Sequence, residues 1–180
     1  MRTFQSSTNI MVRALLVLGL LLLDLVSATA KAQTSLEESV KRLMAERQIM
    51  ELVSKYFHMW DTKNAPGLAD LFAEDGVWDR WGPGAQKPEV SIKGRDNFRD
   101  WTANRFRTAL ADRQTRHYQT NTVFLEMTDD FSRTQTVFVV MQVLAGDKSL
   151  RVATTGIYED EFRRTPRGWQ ISRRVLRADN

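Results

Sequence analysis

The sequence contains two histidines, His58 and His117, and no cysteine. Acid–base chemistry near neutral pH therefore rests on few side chains, because histidine is the residue that ordinarily titrates there, at about 6.5. His117 begins the run Arg116-His117-Tyr118-Gln119-Thr120-Asn121. Strand alternation predicts His117, Gln119, Asn121, Val123, Leu125 and Met127 on one face. Polar positions at one end and apolar positions beyond describe a strand facing a pocket with a polar mouth. A partly buried histidine bonded to a backbone carbonyl fits the same pattern. Asp61 is the second candidate. It stands where a long helical pattern stops, and a carboxylate there meets the negative end of the helix dipole. An unfavourable charge held at a buried element end marks function, whereas Asp61-Thr62-Lys63-Asn64 also reads as a plain exposed turn. His58, three residues earlier, is within reach of a local helical contact with Asp61. Tyr56 and Asp61 lie about 140° apart around a helix. Both reach one cavity only if the helix end tips across its mouth.

If Asp61 and His117 meet, the chemistry is proton abstraction. The carboxylate would hold one ring nitrogen, fix the tautomer and stabilise the imidazolium. The other nitrogen would act as a general base, worth about 10²–10⁴-fold in rate. Trp60, Trp78, Trp81 and Trp101 could line an apolar cavity, although ordinary core packing accounts for most tryptophans at these spacings. Trp81, just before a Gly-Pro loop, is the candidate for a pocket rim.

Other chemistries are excluded or unsupported. Without cysteine there is no thiolate zinc site and no thiol nucleophile. Two histidines without metal-ligand spacing give no metal site. There is no dinucleotide-binding glycine fingerprint, no P-loop and no GxSxG elbow, so no cofactor is expected. The formal net charge of +4 is too small to predict a nucleic-acid partner. The basic group Arg163, Arg164, Arg167, Arg173, Arg174 spans a hairpin and reads as a solvated face with one member turned inward.

The elements that must position these residues follow from periodicity. Residues 35–60 predict a long helix, with Val40, Leu43, Ile49, Met50, Val53, Tyr56, Phe57 and Trp60 at helical spacing. Pro66 opens a short second helix. Glu74-Asp75-Gly76 reads as a turn, and residues 77–81 and 90–92 as strands around a Gly/Pro loop. A third helix covers about 95–110. Residues 118–127, 134–144, 150–162 and 168–176 read as strands joined by short polar turns, which favour antiparallel hairpins. Helices before a mostly antiparallel sheet define an α+β fold. A strongly curved sheet covered by helices on one face makes a conical cavity.

Residues 1–32 read as a signal peptide. Arg13 precedes an apolar run over residues 14–23, and Ala28-Thr29-Ala30 and Ala30-Lys31-Ala32 both satisfy a small-residue cleavage pattern. Met11 is an alternative start. Asp24 cuts the run short of a spanning helix, so contact with a membrane is expected only through this segment, with residues 33–180 as the exported domain, periplasmic or secreted. Cleavage would remove Arg2, Arg13, Lys31 and Asp24 and leave a net charge of +2.

Three stretches carry a family resemblance. Residues 49–56, Asp61 and 68–78 resemble the opening of SnoaL-like domains of the nuclear-transport-factor-2-like superfamily. His117-Tyr118-Gln119-Thr120-Asn121 is similar to their central histidine strand, and residues 156–164 with 168–174 to their closing hairpin. The resemblance covers about residue 36 to the C-terminus. It implies a cone-shaped sheet wrapped around N-terminal helices. It also implies that Asp61 and His117 form the Asp–His dyad of the superfamily's dehydratases and dehydrochlorinases. Tyr56 and Arg174 match a tyrosine and a pocket arginine of such enzymes, with Arg173 as the alternative arginine. Trp60, Trp81, Asn121 and Arg173 are the expected substrate-binding positions. The implied activity is a cofactor-free lyase acting on a small hydrophobic molecule. A non-catalytic ligand-binding or accessory domain, and an isomerase or hydrolase on the same scaffold, remain alternatives. The resemblance also implies a homodimer formed through the outer sheet face. The strand at residues 137–141, apolar on both faces, agrees with cover on both sides.

Overall fold

The structure, a computed structural model, describes the backbone of residues 4–180 and the side chains of Lys31 and residues 33–180. Apart from Lys31, the side chains of the expected signal peptide lie outside the described residues. The chain divides into two compact units, Met1–Met44 and Ala45–Asn180, and helix α1 (Phe4–Asp61) runs through the boundary. In the first unit Val40 and Leu43, expected on a packed stripe, are exposed, as are Leu36 and Met44. Among the described residues that unit holds only α1, with no second element of its own to bury them against. In the second unit the stripe is real: Ala45, Ile49, Val53, Tyr56, Phe57 and Trp60 are all buried, the spacing of one helix face.

α2 (Ala65–Ala69) and α3 (Arg95–Arg107) complete the helices. The strands are β1 (Phe72–Trp81), β2 (Val90–Lys93), β3 (Arg113–Met127), β4 (Phe131–Leu144), β5 (Leu150–Thr165) and β6 (Gly168–Ala178). They form one sheet in the order β2-β1-β6-β5-β4-β3. Every neighbouring pair is antiparallel except β1–β6. The α+β fold and its curved, mostly antiparallel sheet are as expected. Phe138, Tyr158, Phe162 and Ile171 from the strands share one core with Ile49, Val53, Tyr56, Leu68 and Phe98 from the helices and their connections.

Two local readings of the sequence are corrected. Glu74-Asp75-Gly76 is not a turn between elements but a register shift inside β1, between Phe72 and Val77. A Cβ at Gly76 would lie 3.0 Å from the Ala73 carbonyl and 3.1 Å from that of Ile171, so glycine lets the bulged strand press onto β6. On β3, register shifts between Thr120 and Val123 and between Phe124 and Glu126 break the expected alternation. Asn121 takes a positive φ of 54° at the first shift. Beyond it Val123 and Leu125 turn outward, while Phe124 and Met127 pack on the core. On β4, Phe138 and Val140 are buried and Val137 is exposed, so the strand is covered on one face in this chain.

The end of α1 is closed by backbone bonds. Asn64 N–H donates to the Met59 carbonyl at 2.9 Å and Lys63 N–H to that of Trp60 at 3.1 Å. Lys63 has a φ of 55°. Together these make a Schellman ending with lysine in the left-handed position where glycine is usual. The Lys63 ammonium donates to the Leu110 carbonyl at 2.7 Å, tying the helix end to the segment that leads into β3.

Candidate active site

The last helical residue of α1 and the first third of β3 meet through Asp61 and His117. Asp61 Oδ1 lies 2.6 Å from His117 Nδ1. The His117 backbone N–H donates to Oδ2 at 3.0 Å, and the Thr115 hydroxyl to Oδ1 at 2.9 Å. Gln114 Nε2 donates to the Asp61 carbonyl at 2.9 Å, occupying one of the helix-end acceptors that make a carboxylate unwelcome there. Burial alone would raise the Asp61 pKa. The bonds from the His117 ring and backbone and from Thr115, with the His117 charge, outweigh it and hold the carboxyl below its ordinary value. Asp61 is thus an ionised acceptor that fixes Nδ1 as the protonated nitrogen and leaves Nε2 as the basic one. The imidazole stacks on Phe57, with ring centroids 5.6 Å apart.

His117 forms part of the wall of a cavity of about 310 Å³. Tyr56, Trp60, Trp78, Trp101 and Tyr158 supply its aromatic lining, and Val140 and Leu176 aliphatic surface. Tyr56 Oη accepts the Trp78 indole N–H at 2.8 Å, so its own hydrogen is left to be donated elsewhere. Burial pushes the Tyr56 and Tyr158 phenols above their ordinary range, Tyr158 the further. Both are neutral O–H groups at physiological pH.

Behind this wall lies a buried ion pair. Asp160 and Arg174 face each other in register on β5 and β6. Arg174 Nε and Nη2 donate to the two carboxylate oxygens at 2.7 and 2.6 Å, and neither side chain is exposed. Burial would lower the Arg174 pKa, but Asp160 outweighs it and the pKa is raised. The guanidinium carbon sits 3.8 Å from the Tyr56 ring centroid and 4.5 Å from that of Tyr158. Arg174 therefore acts from beneath the tyrosines and does not line the cavity.

The expected site residues thus separate. Asp61, His117, Tyr56 and Trp60 come together, with Arg174 beneath. The problem of helix arc is solved because Asp61 reaches the back of the imidazole, not the cavity itself. His58 is exposed, and its ring plays no part in the dyad. Trp81 does not rim this cavity. β1 turns Trp78 and Arg80 inward, so Trp81 faces out, beneath the Arg177 guanidinium at 5.0 Å. Arg173 also faces out and donates to Asp79 at 2.7 Å. Asn121 is exposed at the β3 bulge. Missing from the sequence reading were Tyr158, Thr115 and three arginines that line the cavity, Arg80, Arg105 and Arg113. Alternation from Trp78 would have found Arg80, and the helical step from Trp101 would have found Arg105. Among the described residues no three of His, Asp and Glu converge as a metal-binding group.

With fold and site in place, comparison identifies the class. A model of the SnoaL-like domain matches residues 41–175, and the chain belongs to that family. Solved structures agree in fold. A nuclear-transport-factor-2-like protein of cystatin-like fold from Novosphingobium aromaticivorans superposes with a TM-score of 0.68 at 24% identity, over 81% of this chain and 88% of that one. A protein of the same organism, provisionally named scytalone dehydratase, gives 0.65 at 19%, covering 79% and 89%. LinA gives 0.65 at 18%, covering 79% and 90%. A sequence comparison with curated proteins finds no match.

Proposed function

We propose that the protein is a cofactor-free lyase of the dehydratase or dehydrohalogenase type, acting on a small substrate with a hydrophobic body. The carrying observation is the 2.6 Å contact between Asp61 and His117 at the wall of an aromatic cavity. The likeness in fold to a protein named for scytalone dehydration supports it. His117 Nε2 takes a proton from carbon, the C–H electrons become the new C=C bond, and the bond to the leaving group breaks on the adjacent carbon. The group departs as halide, or as water on taking from the His117 imidazolium the proton it has just removed from carbon. The Tyr56 and Tyr158 hydroxyls donate to the atom on which negative charge grows. One observation favours a ligand-binding protein without turnover as the second reading: Arg174 lies beneath the wall and does not itself touch a bound molecule.

The test uses a panel of β-hydroxy and β-halo carbonyl compounds, with product mass as the readout. Loss of water or halide by the native protein is expected, with at least about a hundredfold drop in His117→Ala and His117→Gln. Unchanged mass points to isomerisation and added water to hydrolysis. Full turnover in both variants removes the dyad mechanism.

The same reading includes export directed by residues 1–32 and pairing of two copies through the outer sheet face. Exposed Val123, Leu125, Val137 and Ile157 support the pairing. The mass of the mature protein and sedimentation at micromolar concentration test them.

A further inference from the structure

Three guanidinium groups, from Arg80 on β1, Arg105 on α3 and Arg113 at the start of β3, line the cavity that holds His117, and among the described residues no acidic side chain does. Two of the three are already paired. Arg80 meets Glu89 at 3.1 Å, and Arg113 meets Asp112 at 2.9 Å and the Gln142 amide oxygen at 3.3 Å. Arg105 is different. It is half-buried, its guanidinium lies 5.4 Å from the Trp101 ring centroid, and among the described residues no carboxylate pairs with it. Burial, and then the charges of Arg80 and Arg113, depress its pKa. A partly desolvated cation beside two others is unfavourable unless an anion joins it. A guanidinium fork matches an oxyanion in shape as well as in charge.

We propose that the cavity takes a substrate carrying an oxyanion, a carboxylate in the simplest case, and that Arg105 binds that group with Arg80 and Arg113 flanking it. The aromatic lining sets the rest of the molecule. The Trp60 centroid is 6.3 Å from that of Trp101 and 6.2 Å from that of His117. Trp101 thus neighbours the arginine that holds the acid, and Trp60 neighbours both Trp101 and the imidazole that takes the proton. A body of one or two rings packs on these indoles, with its reacting carbon at His117. The substrate class is a small ring-containing acid, neither a neutral hydrocarbon nor a cation. This rests on the cavity being the substrate site proposed above, but not on the dyad being catalytic.

The experiment is binding, followed by tryptophan fluorescence and calorimetry, of 2-naphthoate and of its neutral isostere 2-naphthamide to the whole chain. Naphthoate is expected to bind about tenfold or more tightly than the amide, the worth of one charge-assisted hydrogen bond, and to weaken as salt is raised. Arg105→Gln should abolish the preference while leaving amide binding intact. Arg105→Lys should restore part of it. Arg173→Gln, on the outer face, should change neither, and His117→Gln should retain the acid preference even where turnover is gone. Equal binding of acid and amide to the native protein would overturn the proposal. So would a preference that survives Arg105→Gln, or no saturable naphthoate binding at millimolar concentration. Loss of the preference in Arg173→Gln alone would overturn it too, by moving the anion to the other face. A native-like melting curve for Arg105→Gln separates loss of the site from loss of the fold.

Discussion

Arg173 and Arg174 are consecutive residues on β6, and each donates to an aspartate at nearly the same distance, 2.7 Å and 2.6 Å. Their surroundings differ completely. Arg174 and Asp160 have no exposed side-chain surface, whereas the Arg173 side chain is 45% exposed above a nearly buried Asp79. Strand alternation sends one pair into the core and the other to the outer face. Equal geometry therefore does not mean equal energy. The inner pair cannot be half-removed without stranding a charge, while water can replace much of what the outer arginine supplies.

The largest effect should come from halving the inner pair. Asp160→Asn or Arg174→Met alone should destabilise the fold by about 3–5 kcal/mol in urea denaturation. The double variant Asp160→Leu with Arg174→Met should recover much of that loss. If either single variant matches the native stability, the inner pair does not differ in kind from the outer one. Asp61 comes next, a partly buried carboxylate satisfied mainly by hydrogen bonds. Asp61→Asn should cost about 1.5–3 kcal/mol at neutral pH, the range for hydrogen bonds to a charged group. Because the folded-state pKa of Asp61 is depressed, its contribution is fully present above the ordinary carboxylate value of about 3.9 and is lost as pH falls through the lower folded value. Native and Asp61→Asn stabilities should thus converge below pH 4, and a constant gap down to pH 2 would show that ionisation of Asp61 plays no part. The smallest change is expected for Arg173→Ala, about 1 kcal/mol or less and reduced by salt. A loss as large as that of Asp160→Asn would erase the contrast between the faces.

What was legible in the sequence follows the same division. The hairpins, the stripe from Ile49 to Trp60, and the Asp61 and His117 candidates were readable because period, turn residues and scarcity are local signals. The inward member of the arginine pair was not, since alternation gives two faces without saying which is inner. Trp81 was misplaced for that reason, although a buried Trp78 fixes it as outward. Asn121, Val123 and Leu125 were misplaced because a bulge adds a residue without any marker in composition. Tyr158 comes from a strand distant in sequence, and only folding brings it and Arg105 into the cavity that His117 lines. Val40 and Leu43 continue the apolar period of α1 into a unit where, among the described residues, both are exposed.

The parallel contact between β1 and β6 has a bearing on how the chain assembles. Trp78 and Arg80 belong to a two-stranded piece whose neighbour within the sheet, other than β2, is the last strand made. Two strands alone are marginally stable in water. On a ribosome, residues 72–93 can pack on α3 beside them, but they join the rest of the sheet only when residues 168–178 emerge. A nascent chain halted before Gly168 would lose one strand from its length but a whole wall from its cavity. The hollow is among the last features to form, and until then its tryptophans are open to chaperones and to one another.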